Sequence, residues 1–365
     1  MKKRIMILGK IPPPYMGPSI ATQIILNSSL KNRFELLHID TRVNTSLNTM
    51  GKFSLVKLFK SVSIWVKMFF TILIKRPSLV VIPISQSTGG YLKDLVFILI
   101  AKLTFRKTLI HLRGSNFKNW LNTSSSFTRA FVKTTLKLNN GVIVLGNNLR
   151  QLFTGIFSDE NIYVCPNGGN YDIPSSVKRN DDVAILYLAN LQPSKGIEDV
   201  LNAILKLKGS SHSSFRLNVV GTWRSASVEQ ECKMLVEKNN LPVTFFPAAT
   251  GKDKFQFLAD ADIFVFTPRE PEGHPWVIVE AMAAGLPIIS TDQGAIIESV
   301  KNNINGYIVP AGSPDEIADR LSILITDKDR RMKMAAESKK NYENGFTEEK
   351  MVGNLTTIFE KVIGQ

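Results

Sequence analysis

Cysteine is scarce. Cys165 and Cys232 are the only two in 365 residues, they lie far apart, and neither belongs to a metal-ligand spacing. This excludes a disulfide-stapled scaffold and fits a reducing compartment. Long apolar runs are also missing. The stretch 95–105 is short and contains Lys102, well below the roughly 18 uninterrupted apolar residues of a spanning helix. The basic start, Met1 to Gly9, has only a brief apolar run, so it reads as a first buried strand and not as a signal peptide. Acidic residues are rare in one half only. Residues 1–170 hold 5 Asp/Glu against 23 Lys/Arg, a net +18, while the rest hold 26 against 22, a net −4. Such asymmetry directs the N-terminal half towards something anionic, either nucleic acid or a membrane surface. The positive residues are scattered among aliphatics with no nucleic-acid module, which argues against nucleic acid.

What is present describes a globular protein, 44% hydrophobic and 21% charged. The chain is too long for one ordinary core, so two domains are expected. Apolar strand-like runs at 4–9, 34–40, 79–84, 108–112 and 141–145 alternate with helical stretches, among them 19–30 with Ser19 as N-cap. A second alternating block has strands at 183–188, 215–220, 243–246, 263–267, 287–290 and 306–309. Alternation of this kind predicts parallel sheets with helices on both faces. Between the blocks, 171–182 is polar and unpatterned and reads as a linker. This divides the chain into domains 1–170 and 183–346, followed by a last helix within 347–365.

The stretch from Glu272 to Pro287 carries the most chemistry. A buried strand at 261–267 leads into Glu272-Gly273-His274-Pro275-Trp276, and a helical run carries Glu280 before Gly285-Leu286-Pro287 stops it. Pro275 suits the first helical position, where a missing N–H costs nothing. Strand, loop and helix in that order form an α/β nucleotide site, with helix N–H groups facing a phosphate. Glu280, more than a turn into the helix, is placed to accept hydrogen bonds from a vicinal diol such as ribose. Taken singly, each glutamate would also pass as an ordinary solvated helix residue.

This stretch resembles the signature of the retaining glycosyltransferases of family 4. Two others agree: Ile185 to Gly196, ending Gln192-Pro193-Ser194-Lys195-Gly196, and the Pro166-Asn167-Gly168 turn. The resemblance is strong in 183–315 and weak in 1–150. It implies an α/β fold of the GT-B type, two Rossmann-like doubly wound domains facing across a cleft, with the last helix crossing back to the N-terminal domain. It implies Lys195 and Gly196 on the donor diphosphate, Glu272 on the transferred sugar and Glu280 on the ribose. Backbone groups of Gly273, His274 and Trp276 around Pro275 would meet sugar and phosphate oxygens. The side chains of His274 and Trp276 would touch the sugar. Gly221 would line the nucleotide site. Asn190 stands where many members carry a phosphate-binding arginine, a cation that Arg224 or another residue would then supply. In the N-terminal domain, Gly17 stands for a glycine-rich loop and permits close backbone approach to a phosphate. Arg113, with His111 two residues earlier on one strand face, occupies the place of a His-Gly pair near the sugar, as an electrostatic or acceptor contact at the catalytic centre. A buried, satisfied histidine is an equal reading of His111.

The resemblance implies transfer from a nucleotide-diphosphate sugar, UDP- or GDP-linked, with no further cofactor. It implies no metal, because GT-B enzymes use cations and helix N-termini in its place. Asp260-Ala261-Asp262 and Asp327-Lys328-Asp329 have metal-motif spacing but read as a helix–strand boundary and a surface turn. Residues 52–76 lack acids and interleave Lys57, Lys60 and Lys67 with Phe59, Trp65, Phe69 and Phe70. That is the composition of a basic helix lying in a membrane interface, although a sheet-covering helix with a lysine face reads the same way. Together these features imply a cytoplasmic enzyme held at the inner face of the cell membrane, acting on a lipid-linked, diphosphate-bearing acceptor in bacterial surface polysaccharide assembly. A soluble enzyme with a small acceptor and a catalytically silent GT-B binding protein stay open as alternatives.

Overall fold

A computed structural model describes residues 2–13, 15–43, 55–177, 182–208 and 214–365. Pro14, residues 52–54 of the basic segment and 178–181 of the expected linker lie outside these. The chain forms two compact units, Met1–Asn167 with Glu348–Gln365, and Gly168–Thr347.

The first unit holds six parallel strands: β1 (Arg4–Gly9), β2 (Glu35–Asp40), β3 (Leu79–Pro83), β4 (Lys107–His111), β5 (Gly141–Val144) and β6 (Ile162–Val164). Their order across the sheet is β2-β1-β3-β4-β5-β6. The second unit repeats the plan with β7 (Val183–Leu188), β8 (Phe215–Val220), β9 (Val243–Phe246), β10 (Ile263–Phe266), β11 (Ile288–Thr291) and β12 (Gly306–Val309), ordered β12-β11-β10-β7-β8-β9. Every pairing is parallel. The central strands are apolar without alternation because helices cover both faces; Leu79, Val80, Ile82, Ile263, Phe264 and Val265 are buried.

Each order reverses once, between β1 and β3 in the first sheet and between β7 and β10 in the second. In open α/β sheets the loops at the carboxyl ends of the strands flanking such a reversal leave a crevice for ligands. The helix Glu348–Gly364 packs within the first unit. Phe359 meets Phe34 edge-on, and Lys361 donates to the Glu160 carbonyl.

Several expectations shift in detail. The first helix is Gly17–Asn27, and Met16 takes the N-cap position given to Ser19. Ser19 sits three residues on, where its hydroxyl accepts the Met16 N–H and so closes the turn from the other side. Pro275 is the N-cap of the helix Trp276–Ala283, one position before the expected one. Strand β6 was not expected; three residues give too short a pattern. The described part of 171–182 lies in the second unit. The Tyr171 ring packs on Phe255 and Tyr342, and Asp260 accepts the Ser176 hydroxyl and the Val177 N–H.

Candidate functional site

Lys195 and Glu272 form an ion pair at the chain reversal of the second sheet. Lys195 ends a single 3-10 turn, Pro193–Lys195, between β7 and the helix Ile197–Lys208. Glu272 lies in the loop after β10. Both are largely buried, so the pair is held in a medium where charges interact more strongly than in water. Gly196 permits the arrangement. It takes a left-handed backbone, φ 78°, and a Cβ there would stand 1.9 Å from the Thr267 carbonyl oxygen.

Three residues invisible to motif reading brace this loop. The buried Tyr187 hydroxyl donates to the Lys195 carbonyl at 2.8 Å. The Arg269 backbone N–H donates to the Ser194 carbonyl, and its guanidinium clamps Asp199 at 2.6 and 2.7 Å and Glu198 at 2.8 Å. The forked geometry ties the β10 loop to the first turn of the helix after Lys195. Gly294, φ 60°, fits against the other side, since a Cβ there would lie 1.8 Å from the Glu272 carbonyl oxygen. The acid pair at a helix start and an arginine just after a strand were the only available sequence signal for the clamp.

Glu280 is 3% exposed, one turn inside the helix Trp276–Ala283. Its Oε1 accepts from the Lys254 ammonium at 2.5 Å, while its Oε2 is buried and without a hydrogen-bond partner among the described residues. The Tyr171 hydroxyl, also buried, is likewise unpartnered there. Burial, with the Glu280 charge next in effect, pushes that phenol well above its usual range. A buried carboxylate oxygen with no donor is costly unless a ligand or water supplies one. Lys254 carries no sequence signal; it lies on the helix Gly251–Ala259 with its ammonium 5.0 Å from the Phe255 ring.

His274 is not turned to solvent. Its Nε2 shares a 2.6 Å hydrogen bond with the Ser299 hydroxyl, its ring lies 5.3 Å from that of Phe346, and burial pushes its pKa down to about 3. Trp276 is buried as well. The His274 side chain ties the turn to Ser299 and Phe346. Gly273 accepts the Ala295 N–H on its carbonyl. Asn190 is exposed at the end of β7, and Arg224, also exposed, donates its backbone N–H to Leu191 beside it. Gly221 ends β8, where a Cβ would meet the Ala189 carbonyl oxygen at 1.9 Å. Three aspartates of the two metal-like spacings are engaged locally, Asp260 with Ser176 and Val177 as described. Asp262 accepts the Ala184 N–H, and Asp327 caps the helix Lys328–Gly345.

In the first unit, Arg113 lines a cavity of about 300 Å³ at the carboxyl ends of β1 and β3, together with Gly9, Lys10, Pro18, Gln86 and Lys93. Gly17 begins the helix beside it. Burial lowers the Arg113 guanidinium to about 10, and its Nε is unpartnered among the described residues. Buried His111 is held well below its ordinary pKa by burial first and by Arg113 second. It is a neutral ring within the sheet, and its Nε2 has no partner among the described residues. The residues expected to act together thus fall into two groups, one per unit.

Residues 171–341 match the family described as glycosyl transferases group 1. The capsular polysaccharide biosynthesis glycosyltransferase CapM of Staphylococcus aureus is 27% identical over 180 residues, 49% of this chain and 46% of CapM. The chain thus aligns with about half the length of that relative. Among solved structures, Anabaena HepE in complex with UDP and glucose superposes with a TM-score of 0.72 at 16% identity, covering 98% of this chain and all of that one. Sucrose-phosphate synthase from Thermosynechococcus elongatus gives 0.76 at 15% identity over both full chains. These likenesses establish the fold as the two-domain Rossmann-like architecture of GT-B glycosyltransferases.

Proposed function

We propose that the chain is a retaining glycosyltransferase of family 4 that moves a sugar from a UDP- or GDP-linked donor to an acceptor hydroxyl, without a metal. The observation that carries this reading is the Lys195–Glu272 pair at the chain reversal of the second sheet, with half-satisfied Glu280 on the helix that follows the Glu272 loop. Lys195 is placed to meet the donor diphosphate, exchanging the Glu272 carboxylate for phosphate oxygens. Glu272, released, accepts hydroxyls of the transferred sugar, and Glu280 Oε2 accepts a ribose hydroxyl. In the reaction the bond from the anomeric carbon to the diphosphate breaks. The acceptor oxygen bonds to that carbon on the same face, and its proton passes to the departing diphosphate. Stabilising the charge that develops on the leaving group is the task of Lys195 and the helix N-termini. The polysaccharide relative and the UDP complex of HepE support a glycan acceptor and a nucleotide donor.

The proposed workplace is the anionic inner face of the cell membrane, with a lipid-linked acceptor. No helix among the described residues is long and apolar enough to cross a membrane. The helix Leu55–Lys75, however, buries only Ser61, Met68 and Ile72. Phe59 is 74% exposed and Ile74 73%, and Phe105 on a nearby turn is 93% exposed. Such a helix, with exposed Lys60, Lys67 and Lys75, fits an interface better than water.

Calorimetry with UDP, GDP, ADP and their common sugar conjugates tests the donor half. One nucleotide should bind the wild-type chain and lose most of its affinity in Glu280→Ala. Wild-type protein that binds none of them would overturn the reading and leave a silent binding protein.

A further inference from the structure

The first unit's cavity holds cations that the donor chemistry does not use. Lys10 follows β1 directly, Lys93 lies on the helix Thr88–Leu103, and Arg113 follows β4. Asp94 is the one acidic residue among the lining residues. Its charge is already committed: one oxygen accepts the Lys93 ammonium at 2.5 Å and the other the Ser85 N–H at 2.7 Å. Asp40, the other carboxylate whose charge acts on Lys10, is paired with Arg42 at 2.6 Å. Lys10 itself makes no hydrogen bond or ion pair among the described residues. Burial first and Lys93 second lower its pKa, and the opposing charges of Asp94 and Asp40 only partly offset them. Gln86 packs over Gly114, where a Cβ would stand 2.2 Å from its amide nitrogen, and leaves its Oε1 unpartnered beside Arg113.

We infer that this cavity is a subsite for a phosphoryl group carried by the acceptor, held by Lys10, Lys93 and Arg113. This rests on the glycosyltransferase reading and assigns residues of this chain to the acceptor's phosphoryl group. Three cations from three separate elements line one cavity, and its single lining carboxylate, already paired with Lys93, leaves them in excess. A phosphate brings about two negative charges and three acceptor oxygens, enough to meet all three, where a carboxylate brings one charge and two oxygens. The helices Gly17–Asn27 and Thr88–Leu103 both begin at the cavity and add their positive ends.

Titration calorimetry on the full chain with glucose 1-phosphate, glucuronate and methyl glucoside tests this. Glucose 1-phosphate should bind tightest. Lys10→Gln should weaken it by about tenfold or more, the usual effect of losing a charged hydrogen bond, whereas Lys10→Arg should keep most of the affinity. Lys195→Ala should leave this binding in place. UDP titrated into the same samples should bind Lys10→Gln as it binds wild type, which also reports correct folding. Unchanged affinity in Lys10→Gln, equal binding of glucuronate or methyl glucoside, or loss in Lys195→Ala would each overturn the subsite. Neutral vesicles doped with dodecyl phosphate that compete with the sugar phosphate assign the group to a lipid-borne acceptor; lack of competition assigns it to a soluble one, and both outcomes support the site. Glucose 1-phosphate binding without any nucleotide binding would sink the donor reading and leave a phosphate site with no acceptor role.

Discussion

Lys195 and Glu272 stand 77 positions apart in the chain and form a single ion pair. Each was expected to serve a bound donor, and in the structure each satisfies the other. Pairing the cation with the carboxylate avoids a desolvated lone charge. The first prediction concerns this pair. Lys195→Ala should lower kcat/KM by roughly a hundred- to a thousandfold, the range seen when one preorganised charge-stabilising donor is removed. Turnover with the donor found by calorimetry checks it; near-wild-type turnover would remove Lys195 from the diphosphate.

Lys254 and Glu280 should behave as a coupled pair. Lys254→Met leaves the Glu280 carboxylate buried with neither oxygen partnered among the described residues, and should destabilise the chain by about 3 kcal/mol. It should also weaken nucleotide binding, because the carboxylate loses the contact that fixes its orientation. Adding Glu280→Gln should recover stability but not affinity. Urea melts and nucleotide titrations on the three variants separate the two effects, and additive losses would argue against coupling.

Two glycines should resist even alanine. Gly196→Ala puts a Cβ 1.9 Å from the Thr267 carbonyl in a left-handed backbone, and Gly294→Ala puts one 1.8 Å from the Glu272 carbonyl. Both obstacles are main chain, so the loops must move. Each variant should lose about 1–3 kcal/mol of stability and most of its activity. An active Gly294→Ala enzyme with unchanged melting would show that the Glu272 loop does not depend on that contact.

His274 gives a pH signature. Burial holds it neutral down to about pH 3, whereas the unfolded ring takes a proton near pH 6.5. The unfolded state therefore binds more protons between these values. Stability should be level above about pH 6.5 and fall with acidification below it, by up to about 1.4 kcal/mol per pH unit from this group. His111, shifted the same way, adds a slope of the same sign. Urea melts at pH 7.5 and 5 should show His274→Gln with a flatter dependence than wild type; an equal slope would count against a neutral His274.

The exposed faces of Phe59 and Ile74 supply the last prediction. The double change Phe59→Asp, Ile74→Asp removes exposed apolar area and adds two negative charges, so co-sedimentation with phosphatidylglycerol vesicles at low salt should drop severalfold. Melting should be nearly unchanged, because neither side chain is buried. Equal sedimentation of variant and wild type would discard the membrane surface.

Much of the architecture was legible because parallel strands covered on both faces are continuous apolar runs. β1, β7, β8, β9 and β12 fall on the ranges their apolar pattern marks. Short β6 was missed for want of pattern. The helix Gly17–Asn27 was misplaced by two residues because Met16, with no usual capping side chain, holds the position that Ser19 would have suggested.

The candidate site was legible only in part. Lys195, Glu272 and Glu280 stand in strand–loop–helix contexts that local rules mark as ligand-facing. His274 looked similar on the chain, yet its ring is packed on Phe346 and bonded to Ser299, partners that no local spacing reveals.

The sequence by itself determined the alternation of strands and helices, the two parallel sheets and the loops at their carboxyl ends. Those follow from periodicity, chain stiffness and turn chemistry within a few neighbouring residues. Only the tertiary structure decided that Lys195 meets Glu272, that Lys254 meets Glu280, that Arg269 clamps Asp199, and that Lys10, Lys93 and Arg113 share one cavity. Strand order brings these residues together, and it is set by how distant apolar faces bury one another, not by any interaction local to the chain.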